Sequence, residues 1–145
     1  MLAIMLLGVA GVEGKQKKAE EHFKYAGGTE RIQQGCKGNL ELTSTALTFR
    51  CDTGWIAAPY SSIRLMQYRR DVSRQVLKMN LDWKVKPPGK HGKQNRYFTV
   101  LYSEGSGTRA IVLDVAPETM RPYLAEIDLK AGQRVEVQAH EEYSQ

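Results

Sequence analysis

The sequence predicts a mainly β fold, in which seven antiparallel strands curl into a barrel or sandwich that one C-terminal α-helix closes. Between residues 36 and 115, short runs of alternating apolar and polar residues are separated by turn residues, with no helical period among them. After residue 118 the period changes, because Met120, Leu124 and Ile127 fall at helical spacing. A sheet this short removes its exposed edges by curling, and a helix can plug one open end.

The first predicted element is a hairpin with its turn at residues 44–45. Its facing pairs are Leu42 with Leu47, Leu40 with Phe49, and Gly38 with Cys51. Cys36 and Cys51 then share the inward face at a diagonal separation of about 7–8 Å, slightly more than a disulfide usually spans. A bulge at Gly38 is expected to close that gap. We therefore expect a Cys36–Cys51 disulfide, which an exported chain favours over two buried thiols.

The remaining strands are predicted over residues 55–58, 63–68, 76–85, 97–102 and 109–115, with a polar connection over 69–74. The clearest alternation lies in 76–85, where the side chains predicted to point inward are Leu77, Met79, Leu81, Trp83 and Val85. The helix is predicted over 119–131, with Thr119 as N-cap, Pro122 in the first turn and Gly132 after its end. Residues 134–137 can add a short strand. The predicted core comprises Phe98, Val100, Ile111, Leu113, Met120, Leu124 and Ile127.

Residues 1–12 are apolar, which is too short a run to span a membrane but matches the apolar region of a cleaved secretory signal. The alternative is a buried N-terminal segment. Residues 13–34 are expected to form a charged leader, with a possible short helix over 15–25. The folded domain is therefore expected to span 35–137, and residues 138–145 to form a flexible tail.

Two stretches, GNLELTSTALTFR and GWIAAPYSSIRLMQY, carry a resemblance to a known family. Their glycine, apolar, Thr, Phe, Pro and Ile spacing resembles the opening of GRAM and pleckstrin-homology-like (PH-like) domains; the matching residues are Gly38, Leu40, Leu42, Thr43, Leu47, Phe49, Pro59 and Ile63. The resemblance implies a small β-barrel that acts as a binding module. In relatives that bind phosphoinositides, the usual site surrounds the first hairpin loop. That loop, residues 43–46, is uncharged here, so the resemblance speaks to the fold and not to that site.

Positive charge is concentrated in the middle of the chain. Residues 64–96 hold ten Lys or Arg against two Asp, a net +8, which leaves −3 of the total +5 for all other residues. The candidate contacts to an anionic surface are Arg69, Arg70, Arg74, Lys84, Lys86, Lys90, Lys93 and Arg96. With a strand over 76–85, these residues are expected at opposite ends of the barrel, joined at most as a stripe. The alternative is that they maintain solubility and blunt strand edges.

No motif indicates catalysis. His22, His91 and His140 lack metal-ligand spacing to one another or to cysteine, and the carboxylates are scattered. We therefore expect no enzymatic activity, no metal and no cofactor. The predicted function is an exported, non-catalytic binding module that engages a protein or an anionic envelope surface. The alternative is a cytosolic domain that docks on anionic membrane lipid through a basic stripe. Nucleic acid is not the expected partner, since export removes access to it and Trp83 is predicted to be buried.

Overall fold

The computed structural model describes residues 22–72, 74–79 and 96–137 of the chain. The fold of these residues is mainly β, with one long helix. Its strands are β1 (Phe23–Gly28), β2 (Lys37–Leu42), β3 (Ala46–Cys51), β4 (Gly54–Pro59), β5 (Ile63–Arg69), β6 (Arg96–Glu104), β7 (Gly107–Val115) and β8 (Glu136–Val137). The helices are α1 (Arg74–Leu77) and α2 (Pro117–Ala131), and a single 3-10 turn (Tyr60–Ser62) joins β4 to β5.

All eight of these strands belong to one sheet, in the order β4-β3-β2-β1-β7-β6-β5-β8. The sheet is not closed, because β4 and β8 stand at its two ends. Neighbours are antiparallel except β5 and β8, which pair in parallel through Gln67 and Tyr68. The prediction of seven antiparallel strands closed into a barrel is therefore wrong in count, in the β8 pairing and in closure, while the mainly β class is confirmed.

The first predicted hairpin is β2 and β3, and its register is confirmed. Leu42 pairs with Leu47, Leu40 with Phe49 and Gly38 with Cys51. Thr43 stabilises the turn, since its Oγ1 accepts hydrogen bonds from the backbone N–H of Ala46 at 3.0 Å and of Thr45 at 3.3 Å. The alternation of side chains on this hairpin was sufficient to place its buried face.

The sheet begins earlier than predicted, at β1. A short helix was expected over 15–25 and a leader over 13–34, yet Phe23–Gly28 is a strand that pairs with both β2 and β7. Phe23 and Tyr25 are buried and Lys24 between them is exposed, which is strand alternation over too few residues to be distinctive. Gly28 allows the close approach to β7, because a Cβ there would clash with the backbone of Ala110.

The predicted strand over 76–85 is wrong over residues 76–79. Arg74–Leu77 forms a single helical turn in which Val76 is buried and Leu77 is 59% exposed, the reverse of the predicted alternation. Residues 80–95, which include Leu81, Trp83 and Val85, lie outside the described part of the chain. Val76 packs with Val72 on the outer face of the sheet, the face opposite α2, against Leu101, Ala110 and Val112.

Helix α2 covers the inner face of the sheet. It begins at Pro117, with Ala116 as N-cap, so the predicted N-cap at Thr119 is wrong. Proline at the first helical position fixes the backbone and lacks an N–H that would have no partner there. Pro122 consequently lies inside the helix instead of in its first turn. The end is as predicted, since Gly132 adopts a left-handed conformation at φ 73°.

The predicted core residues are all buried: Phe98, Val100, Ile111, Leu113, Met120, Leu124 and Ile127. They join inward-facing residues of β1 to β5 in one cluster between the sheet and α2. In the described residues, no helix has both the length and the apolar character needed to cross a membrane.

Candidate functional site

Arg69 and Arg96, which lie before and after the lysine-rich stretch 84–93, come together at one end of the sheet. β5 ends at Arg69 and β6 begins at Arg96, and these strands are antiparallel neighbours in which Arg69 pairs with Tyr97. The connection between them therefore leaves and re-enters the sheet at the same end. This corrects the expectation of opposite ends, which depended on a strand over 76–85. We call Arg69, Arg70 and Arg96 the basic end.

The cations of this region differ in availability. Arg70 and Arg74 are exposed, whereas Arg69 and Arg96 are half-buried. The Nε of Arg69 lies 3.3 Å from the Oδ1 of Asp71, an exposed ion pair that adds little stability. Arg74 opens α1 and lies five residues after Arg69 in the sequence. The predicted contacts Lys84, Lys86, Lys90 and Lys93 lie outside the described residues.

Tyr68, which precedes Arg69 on β5, is buried on the inner face of the sheet beside the basic end. The Tyr68 hydroxyl donates a hydrogen bond of 2.7 Å to the backbone oxygen of Val115. Burial raises the pKa of Tyr68, with Asp114 and Glu118 acting in the same direction and Arg96 and Arg121 opposing them. Tyr68 therefore stays neutral at physiological pH. Arg96 is half-buried and acts on Tyr68 together with the carboxylates of Asp114 and Glu118. Arg70 and Arg74 are exposed, so they are the cations most accessible to a partner.

A second surface, which sequence reasoning missed, lies on the outer face of β3 and β4. Trp55 is 61% exposed, and the Arg50 guanidinium carbon lies 5.6 Å from the centroid of its ring, within the range of a cation–π contact. Arg50 also forms an ion pair of 3.2 Å with Glu41. The signal was present in the sequence, because Ile56 and Ala58 face the core and strand alternation turns Trp55 outward.

The predicted disulfide between Cys36 and Cys51 is confirmed, with a Cα–Cα distance of 6.0 Å. The bulge expected at Gly38 is absent, since β2 and β3 pair without a register shift. Cys36 instead precedes the first residue of β2, where the chain can turn toward Cys51. The bridge therefore joins the residue before β2 to the last residue of β3. Thr53, in the turn after β3, donates a hydrogen bond of 3.1 Å to the Cys36 sulfur.

A polar network around Glu30 ties the segment after β1 to β6 and β7. Tyr102 donates to the Glu30 Oε2 at 2.9 Å, Tyr25 donates to the Glu30 backbone oxygen at 3.2 Å, and Arg109 lies 3.8 Å from the same carboxylate. Burial raises the pKa of Tyr25 to about 12, and burial followed by the Glu30 hydrogen bond raises the pKa of Tyr102. Both phenols therefore remain protonated donors at neutral pH, and we assign the network a structural role.

The described residues hold no group of three or more His, Cys, Asp or Glu side chains that could bind a metal ion. Of the histidines, His22 is exposed at the start of the described chain, and His91 and His140 lie outside it. Comparison with protein-family models and with curated proteins gave no match to this chain.

Proposed function

We propose that this chain is a non-catalytic, PH-like binding module that engages an anionic surface of the cell envelope through its basic end. In the described part of the chain, strands β1 to β7 pair only antiparallel with one another and are followed by one long helix that covers the inner face; this order supports the PH-like assignment. The residues that carry the resemblance have packing roles consistent with it: Leu40, Leu47, Phe49 and Ile63 all belong to the core.

The convergence of Arg69, Arg70 and Arg96 at one end of the sheet carries the anionic-surface proposal. Arg69, Arg70 and Arg96 flank a single connection, and Arg74 follows within five residues of Arg69. The additional predicted contacts Lys84, Lys86, Lys90 and Lys93 belong to that same connection. Lys and Arg near an anionic membrane each contribute about 1 kcal/mol of attraction, so the four described arginines of this region are sufficient for weak, salt-sensitive docking.

The disulfide supports an oxidising compartment, since such bridges are rare in reducing cytosol. It favours the exported form of the module, with residues 1–12 as a cleaved signal, over the cytosolic alternative.

A protein partner is the second candidate, and Trp55 with Arg50 is the observation that favours it. Exposed tryptophan and arginine dominate binding energy at protein interfaces, and this pair lies on β3 and β4, at the other end of the strand order from β5.

Neutralising the three arginines after β5, two of them exposed and one half-buried, is expected to weaken binding to anionic vesicles by about 100-fold, at about 1 kcal/mol for each charge. The variant is Arg69→Gln, Arg70→Gln and Arg74→Gln combined, and binding is measured by co-sedimentation with vesicles of phosphatidylcholine and phosphatidylglycerol. Raising the salt concentration should also weaken the binding of the wild-type protein to these vesicles, because salt screens the charges.

The matched control combines Arg31→Gln, Lys37→Gln and Arg134→Gln, which removes the same charge from exposed positions elsewhere. This control and Trp55→Ala should bind the vesicles within a few-fold of wild type. Equal losses in the two triple variants would show a response to net charge alone. Equal wild-type binding to pure phosphatidylcholine would likewise contradict the proposal.

A further inference from the structure

A groove of about 400 Å³ lies on the outer face of the sheet, beside α1. We call it the outer groove. Its lining residues are Arg64, Leu65, Gln75, Met79, Leu101 and Thr108. It lies near the start of β5, about five residues or roughly 16 Å along the strand from Arg69. The outer groove is therefore separate from the basic end, and its volume falls in the range of small-molecule sites.

The floor and one wall of the outer groove are apolar. Leu65 and Leu101 come from the paired strands β5 and β6, and Met79 comes from the turn that follows α1. Val72 and Val76 anchor this helical turn against Leu101, so the wall is held in place beside the groove. Methionine adapts readily to apolar ligands because its side chain is unbranched and polarizable.

The rim of the outer groove carries a cation in a defined position. The Arg64 Nε donates a hydrogen bond of 2.7 Å to the Ser103 Oγ, which orients the guanidinium and leaves its two terminal nitrogens for a ligand. Arg64 forms no ion pair with any carboxylate in the described part of the chain. A planar guanidinium presented in this way matches the two oxygens of a carboxylate, and the Thr108 hydroxyl adds a polar group at the rim.

From this arrangement we infer that the outer groove binds a single-chain amphiphilic carboxylate of the fatty-acid type. The acyl chain lies along Leu65, Leu101 and Met79, and the carboxylate pairs with Arg64. The chemistry is complementary at both ends, since the apolar floor excludes water from the chain while the charged head stays at the open rim.

A peptide is a poorer occupant of the same groove. Extended peptides gain affinity chiefly by pairing their backbone with a free strand edge. Strand β6, which contributes Leu101 to the floor, is paired on one side with β5 and on the other with β7. Its backbone groups are therefore used within the sheet, and recognition at this floor depends on side chains. On β6 this arrangement favours an acyl chain over a peptide, whereas β5 pairs with β8 only at Gln67 and Tyr68, so a peptide bound at that edge is an outcome that the test must distinguish.

The test is a titration of the isotope-labelled full chain with decanoate, kept below its micelle-forming concentration, monitored by amide chemical shifts. The largest changes are expected at Leu65, Leu101 and Thr108. Arg64→Gln should weaken decanoate binding at least tenfold, because it removes a charge-assisted pair. Arg64→Gln should leave the binding of decanol unchanged, since decanol has the chain without the charge.

Leu65→Ser serves as a second variant, and it should weaken decanoate and decanol alike. Unchanged unfolding midpoints in urea establish that both variants are folded. Equal decanoate affinity in wild type and Arg64→Gln would overturn the inference, as would shift changes centred on the basic end. Tighter binding of a short peptide with a C-terminal leucine than of decanoate would also overturn it, because the occupant would then be a peptide terminus.

Discussion

Gly38→Ala is expected to lower the free energy of unfolding by more than about 3 kcal/mol, at or beyond the upper end of overpacking effects. Gly38 faces Cys51 in the β2–β3 pair and Phe23 in the β1–β2 pair, so strands flank it on both sides. An added Cβ would overlap the backbone carbonyl of Arg50 and lie 2.8 Å from the Cβ of Cys51. Backbone in a paired strand cannot move aside without breaking the ladder, and the disulfide nearby restricts it further.

Urea unfolding of wild type and variant, followed by circular dichroism, measures this effect. Gly107→Ala is the matched control, because the nearest atom to an added Cβ there is the Glu104 oxygen at 3.9 Å. The control should change stability by no more than about 0.5 kcal/mol, as exposed substitutions usually do. If Gly38→Ala were as stable as Gly107→Ala, the close pairing at Gly38 would be contradicted.

Removing the disulfide is expected to lower the free energy of unfolding by about 3 kcal/mol, the chain-entropy value for a loop of this size. Cys36 and Cys51 are 15 residues apart in sequence. The fold itself should survive, because the Cys36 backbone is also held to β1: Tyr25 donates a hydrogen bond of 2.8 Å to the Cys36 oxygen. The change therefore acts mainly by giving the unfolded chain more freedom.

The double variant Cys36→Ser and Cys51→Ser is compared with wild type by urea unfolding, each with and without reductant. Reductant should destabilise wild type to about the level of the double variant and should leave the double variant unaffected. Wild-type stability that is insensitive to reductant, in protein shown by mass to be fully reduced, would mean that the bridge contributes nothing.

The β2–β3 hairpin and the core of β6, β7 and α2 could be predicted because the information is local. In the hairpin, Leu40 and Leu42 alternate with polar residues before a short turn, and the register follows from the turn position. In α2, Met120, Leu124 and Ile127 repeat at helical spacing. The N-cap was misplaced because Pro117 starts the helix without the side-chain cap that Thr119 suggested.

Elements defined by distant contacts could not be predicted in this way. β1 depends on pairing with β7, more than eighty residues later in the sequence, and Gly27 and Gly28 interrupt its alternation. The single turn of α1 is too short to show a helical period. Val76 of α1 is buried because the outer face of β6 and β7 is apolar there. Strand alternation alone would predict that this face is exposed to solvent.

The candidate surfaces likewise differ in whether local sequence or distant contacts define them. Residue types identified the cations, but the prediction that Arg69 and Arg96 lie at opposite ends was wrong because it relied on the strand over 76–85. Trp55 was detectable from alternation on β4. The outer groove was not detectable, since it requires Arg64 on β5 and Met79 after α1 to lie on one side of the sheet.

The most direct test of the central claim is to map where an anionic lipid headgroup contacts the protein. Labelled protein is titrated with dihexanoyl phosphatidylglycerol below its micelle concentration, and with dihexanoyl phosphatidylcholine in parallel. The amide shift changes specific to phosphatidylglycerol should be largest at the basic end (Arg69, Arg70 and Arg96) and at Arg74, which follows it in the sequence. Changes centred instead on Arg50 and Trp55, or the same changes with both lipids, would contradict an anion-binding role for the basic end.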